Sequence, residues 1–353
     1  ATEKGTFVSA TMFGAVAGSG ALPWPTDTSR GVLGDPRSEA GFDVAVAAVV
    51  AISDGQAVGH EPAAATEQRA DSPDFPDLPQ SAREVIAHGR DRVTDFQDVA
   101  YGDLYLSRVR SLADDTDPAD HRQVHALTEA CRRLALWMAY EDVARVADLK
   151  TRPERFERIR KEVELEPGQI LKVTEYMKPR AEEIADILPV TIAIRIMARV
   201  ARGKGLPFLG RGVHVRSNGV FGYWLLRFVA SLKRIRRRSY RFRQEQEAID
   251  IWLDALRTSF PRSVEFATAL GELPRVLKGY SDTLVRGKTA YGRIMDDIVH
   301  PATGAGAEDQ AARTLRDAIG AALADDSHDK LNAVLSGDEA GPEVPQLKAV
   351  ANA

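Results

Sequence analysis

This chain of 353 residues has one cysteine, Cys131. One thiol cannot form a disulfide framework within the chain, a cysteine-ligated iron–sulfur cluster, or a Cys-rich structural zinc site. It favours a reducing, cytoplasmic setting. Long apolar runs are also missing. The longest, Val44 to Ile52, has nine residues and is too short to cross a bilayer. No basic n-region followed by an apolar h-region stands at the start, so no signal peptide is expected. The chain opens at Ala1 without Met, which suits a processed or excerpted N-terminus. Strand-like alternation is nearly absent, confined to "GRGVHVR" at 210–216. No internal repeat is found.

What is present is helical periodicity. Apolar residues make up 44% of the chain, enough for a sizeable core. "TFVSATMFGAVA" (6–17) reads as an apolar helix stopped by Gly18, Gly20, Pro23 and Pro25. A second apolar helix fits Gly41 to Ile52. Residues 55–82 shift to Ala, Pro, Asp and Gln and read as a linker. Arg83 to Leu112 reads as one helical segment and Val124 to Lys150 as another, with Leu127, Cys131, Leu134 and Met138 on one stripe. Thr151-Arg-Pro-Glu154 has the form of a capping box, opening a helix with Phe156, Ile159 and Val163 on one face. Leu315, Ile319 and Leu323 mark an amphipathic helix after residue 300, followed by a mobile tail. The fold class expected is mainly α: a large helical domain over 83–300, with a C-terminal helix and tail over 301–353.

One stretch breaks the even distribution of charge. Seven of the eleven residues from Lys233 to Arg243 are basic, although the chain carries a net charge of −4. Leu225, Phe228, Leu232, Ile235, Ser239, Phe242, Gln246, Ile249, Leu253 and Leu256 follow steps of three and four. The spacing predicts a single long helix that buries this stripe and presents cations on its flanks. Arg234, Arg237, Arg238 and Arg241 could dock an acidic partner such as a ferredoxin. A solvated flank, or pairing with Glu141, Asp142 or Asp148 of this chain, is the plainer alternative. Nucleic-acid binding is a weaker reading in an acidic protein, and neither nucleic acid nor a membrane is expected as a partner.

No other cluster reads as a catalytic or metal site. His121, His125 and Glu129 share a helix face, but there is no HExxH and no third obvious ligand, so a polar face near a helix start accounts for them. "GAVAGSG" (14–20) lacks the Lys-Ser/Thr of a P-loop and reads as a helix cap. Cys131, on an apolar stripe, reads as a packed thiol. "KGYSDTLVRGK" (278–288) reads as a polar turn in which Lys278, Tyr280, Arg286 and Lys288 could hold an anion, or as an ordinary connection between helices.

Five blocks carry a resemblance: "GTFVSATMFGAVAGSGALPW" (5–24), "DFQDVAYGDLYLSRV" (95–109), "LALWMAYEDVARVADLK" (134–150), "LKVTEYMKP" (171–179) and "KGYSDTLVRGK" (278–288). Together they resemble the beta-subunit family of bacterial indolepyruvate ferredoxin oxidoreductases, within the 2-oxoacid:ferredoxin oxidoreductases. The resemblance implies that residues 1–54 are the last helices of a truncated gamma-type α/β domain. It implies a component in oxidative decarboxylation of aryl 2-oxoacids. Thiamine diphosphate, Mg2+ and [4Fe–4S] clusters would belong to an alpha subunit, electrons would pass to ferredoxin, and this chain alone would bind none of these cofactors and be inactive. The family's glycine-rich segment near the thiamine site would precede Ala1, so the resemblance carries no thiamine-binding residue onto this chain. The other function class open to the sequence is a non-catalytic helical interaction module docking an acidic protein through 232–246.

Overall fold

The computed structural model of the chain is mainly α, with a single two-stranded sheet among the described residues. It describes residues 8–53 and 75–336, except 23, 167, 179, 203–211, 278, 280 and 326. Most of the expected linker, Lys278, Tyr280 and the C-terminal tail lie outside the described residues. The chain divides into two units, Ala1–Gln68 and Arg69–Ala353.

The first unit holds α1 (Val8–Gly18), α2 (Thr26–Arg30) and α3 (Pro36–Ser53). Gly14 lets α1 approach α3 closely, because a Cβ there would strike the backbone of Phe42. The rings of Phe13 and Phe42 meet at 5.5 Å. The helix expected from Gly41 begins instead at Pro36. Asp35 caps it, accepting from the backbone of Arg37 and Ser38 and from the Ser38 hydroxyl. Arg30 then ties α2 to α3 through Asp43 and Glu39. Met12, Val16, Val44 and Val50 stay exposed on these helices.

The second unit opens with α4 (Gln80–Phe96) and α5 (Val99–Ala113), where one helical segment is expected from the sequence. Asp98 makes the break: its carboxylate accepts from the Tyr101 N–H at 2.9 Å and caps α5. The next expected segment also divides, into α6 (His121–Met138) and α7 (Val143–Lys150). Asp142 caps α7, accepting from the Arg145 N–H at 2.7 Å. After α7 comes α8 (Pro153–Glu162), which starts where expected but without the capping box. The Thr151 hydroxyl turns back to the carbonyls of Ala147 and Asp148, and Arg152 occupies the cap position. No residue of α8 is fully buried.

Strand β1 (Thr174–Met177) pairs antiparallel with β2 (Val213–Arg216), the described part of the alternating stretch. Between them lie α9 (Ala181–Asp186) and α10 (Val190–Ala201). The long basic helix expected next is three elements: α11 (Val220–Ser231), a 3₁₀ segment (Leu232–Arg238) and α12 (Tyr240–Ser259). Ser239 causes the second break, accepting from the Phe242 N–H to cap α12. Then follow α13 (Val264–Glu272), a 3₁₀ turn (Leu273–Val276) and α14 (Ser281–Ile294). A π-helical turn (Met295–Val299), α15 (His300–Ala305), α16 (Glu308–Ala324) and α17 (Asp329–Ser336) complete the unit.

The main core joins α4–α6 to α12–α17 and contains Ile86, Leu127, Leu134, Trp252, Phe266 and Val299. Cys131 and Met138 lie buried on the expected α6 stripe, and Leu315 and Ile319 on that of α16. A separate small cluster, Ala147, Val215, Leu226 and Ala230, anchors α11 against α7 and β2.

Candidate functional site

The basic stretch does not lie on one helix, and its arginines have different fates. A 3₁₀ helix turns every three residues, so Arg236 and Ser239 face the same way. That way is inward. Arg236 is 2% exposed and clasps Asp142, with Nε to Oδ2 at 2.6 Å and Nη2 to Oδ1 at 2.9 Å. Its Nη1 donates to the Phe96 carbonyl and to Gln97 Oε1, and the guanidinium lies 3.9 Å from the centroid of the Phe96 ring. Among the sequence candidates, Arg241 is interior as well. Its Nη1 donates to the Glu141 carbonyl, it pairs with Glu245 at 3.3 Å and with Asp186 at 3.7 Å, and it covers the Tyr140 ring. Its assignment as a partner-docking residue is therefore corrected: the helix break at Ser239 turns it into the fold. Arg237 is half-exposed and donates to Asp98 at 2.6 Å. Arg234 and Arg238 are exposed and make no ion pair among the described residues.

The proposed anion-binding turn is also corrected where it can be seen. Arg286 and Lys288 sit on α14, not in a turn. Lys288 Nζ reaches Glu245 Oε1 at 2.8 Å, so its charge is already matched inside the protein. Gly287 lets α14 approach the 3₁₀ turn before it, since a Cβ would meet the Val276 carbonyl.

Glu245 is the centre of this network. Besides Arg241 and Lys288 it accepts from Trp137 Nε1 at 2.8 Å. Burial would raise its carboxyl, but the charges of Lys288 and Arg241 and the hydrogen bonds from Lys288 and Trp137 hold it below the usual range. Asp186 goes the other way: burial raises it despite the attraction of Arg241. Nearby, Gln246 Nε2 donates to the Tyr101 hydroxyl, which donates to the Met138 carbonyl. Burial pushes that phenol up to about 12. A second set ties β1 to α7 and the loop and helix after it, with Glu175 meeting Lys150 and Arg155.

Of the residues that matter here, sequence patterning points to Asp142, Arg241 and Lys288 but not to Asp98, Asp186, Trp137 or Glu245. Asp98 and Asp142 each precede Val-Ala inside a helical run, and this N-cap pattern is the signal that could have revealed the breaks.

Chemically the network is a clamp of opposed charges. Among the described residues, no group of three or more His, Cys, Asp or Glu side chains could hold a metal ion. His121 and His125 are exposed, and Glu129 pairs with Arg132 and Arg133. Cys131 is fully buried, and burial pushes its thiol up to about 12. Open clefts among the described residues include one of 470 Å3 beside Arg30, Phe42 and Asp43 and one of 320 Å3 beside Thr151, Phe156, Arg160 and Tyr223. In the first, Arg30 is already matched by Asp43. No helix among the described residues is long and apolar enough to cross a membrane.

Fold and site together define a helical domain in which one capping aspartate, Asp142, holds a buried ion pair and a second, Asp98, holds an exposed one. Residues 82–297 match the family described as "Family of unknown function (DUF6537)", and the chain belongs to it. No curated protein and no solved structure matches the chain.

Proposed function

We propose that this chain is the non-cluster component of an indolepyruvate-type, aryl 2-oxoacid:ferredoxin oxidoreductase. Thiamine diphosphate, Mg2+ and the [4Fe–4S] clusters reside on an alpha subunit, and ferredoxin takes the electrons. The observation that carries this reading is the helix pair α1–α3. The two helices press together at Gly14 and still expose Met12, Val16, Val44 and Val50. Apolar helices left open on their outer side suit one layer of an α/β domain, the place the resemblance gives to residues 1–54. The blocks that carry the resemblance support it further. Trp137 of one and Lys288 of another meet on the buried Glu245, and Asp142 of the first holds the buried Arg236.

The test is anaerobic co-expression with the large subunit of such an enzyme. The pair is expected to co-purify as a brown complex that reduces ferredoxin with indolepyruvate, while this chain alone is colourless and inactive. Failure to retain the subunit, or a complex without arylpyruvate-dependent reduction, overturns the reading.

A second reading, a non-catalytic module that docks an acidic protein, is favoured by the exposure of Arg234 and Arg238. Arg236 and Arg241 play no part in it. Here the chain would bind a ferredoxin without any large subunit present.

A further inference from the structure

In the second unit, α11 exposes a run of large apolar side chains. Leu226 and Ala230 bury one side of this helix against Ala147 and Val215. The other side carries Val220, Phe221, Trp224, Leu225 and Phe228, of which Phe221 is 92% exposed, Trp224 68% and Phe228 65%. These positions recur at helical spacing and form one face. The stripe read from sequence counted Leu225 and Phe228 as core; the structure turns both to solvent. Contiguous apolar faces of this kind on a rigid helix mark interaction sites, and Trp and Phe are the residues that anchor them.

Charge identifies the occupant. From Ile187 to Gln244 the chain has no Asp or Glu and fourteen Lys or Arg residues. Arg227 borders the aromatic face and touches Asp148 only at 3.4 Å, while Arg234 and Arg238 follow on the 3₁₀ segment without ion pairs among the described residues. We propose that this face of α11, rimmed by Arg227, Arg234 and Arg238, docks the large subunit of the complex proposed above. The matching patch on that subunit is apolar at its centre and lined with carboxylates at its edge. The inference rests on that reading and names the surface it uses.

A second copy of this chain fits poorly. Two-fold pairing of one patch on itself would set arginine against arginine. An anionic lipid surface fits less well than a protein. Asp98 stands half-exposed beside the same segment, paired to Arg237, and a membrane would repel it while a protein can place its own charges around it.

The experiment compares the wild-type chain with Phe221→Glu/Trp224→Glu and Arg234→Glu/Arg238→Glu, each co-expressed anaerobically with the large subunit. All four side chains are exposed, so unchanged thermal melts are expected. The aromatic pair should weaken retention by roughly thirtyfold or more. The arginine pair should weaken it about tenfold, with the loss shrinking in high salt. If the aromatic variant fails to fold, Trp224 fluorescence serves instead: subunit binding should shift it to the blue, and the shift should be missing in Trp224→Phe. Equal retention of the subunit by wild type and a folded aromatic variant, or an unshifted Trp224, overturns the docking site and leaves the proposed function standing. A wild-type chain that never retains the subunit overturns both. Binding of the wild-type chain, but not the aromatic variant, to phosphatidylcholine vesicles only when they contain phosphatidylglycerol assigns the face to lipid and also overturns it.

Discussion

Arg236 and Asp142, 94 residues apart in the chain, close on each other in the protein interior through two hydrogen bonds of 2.6 and 2.9 Å. Asp142 at the same time caps α7. One carboxylate therefore ends a connection, starts a helix and fixes the basic segment against it. Arg237 repeats the device one residue later, at the aspartate that caps α5. Two neighbouring cations thus latch two helix starts, which sets the basic segment's position on the domain.

Removing one partner of the inner latch leaves a buried, uncompensated charge. Arg236→Met alone should destabilise the second unit by about 3–5 kcal/mol. Asp142→Leu should match or exceed this, because it also loses a cap worth about 1 kcal/mol. The double variant should recover much of the loss, as two apolar groups replace two charges. Urea unfolding of the three variants measures the coupling, and additive losses would refute it.

Glu245 predicts acid sensitivity. Its folded pKa lies below its unfolded value, so its stabilising contribution is complete above the unfolded value and is lost as pH falls through the folded one. Glu245→Gln should lower the urea midpoint at neutral pH and flatten the fall of that midpoint on acidification. A mutant as steeply pH-dependent as the wild type would contradict the assignment.

Asp186 predicts the opposite sign. Its folded pKa is raised by burial, so stability is lost as pH rises from the unfolded value to the folded one, the loss is complete above the folded value, and none is lost below the unfolded one. Asp186→Asn should raise the melting temperature at neutral pH, with the gain vanishing in acid. A drop at neutral pH would mean that its contact with Arg241 outweighs its burial.

Cys131 should be chemically silent in the folded protein. It is fully buried and its thiol is pushed up to about 12. An aromatic disulfide reagent should leave the native chain unmodified at neutral pH and titrate one thiol after urea unfolding. Rapid native reaction would require a path to the core that the packing does not show.

The stripe through Leu127, Cys131, Leu134 and Met138 was legible because α6 is continuous over it and period alone decides which side is buried. Leu315 and Ile319 on α16 were legible for the same reason. The stripe from Leu225 to Leu256 was not. Its spacing runs evenly through Ser239, yet the serine hydroxyl caps α12 there and the preceding turn tightens to 3₁₀, so the two halves face different ways. The aspartate caps at 98 and 142 were hidden because apolar residues continue at helical spacing on both sides of each. Strand β1 carries no apolar alternation, because its inward residue is the charged Glu175 while Tyr176 faces solvent.

The amino-acid order by itself determined a mainly helical protein, an inert thiol, an apolar helix pair at the start and a cationic segment with acidic partners within reach, Asp142 among them. These follow from composition and local period, which act over a few turns. Only the tertiary structure decided which arginines are interior and which meet solvent, and that α11 keeps its aromatic side uncovered. Those outcomes depend on the direction each helix takes after its cap, and that direction is set by contacts between residues such as Arg236 and Asp142 that no local pattern connects.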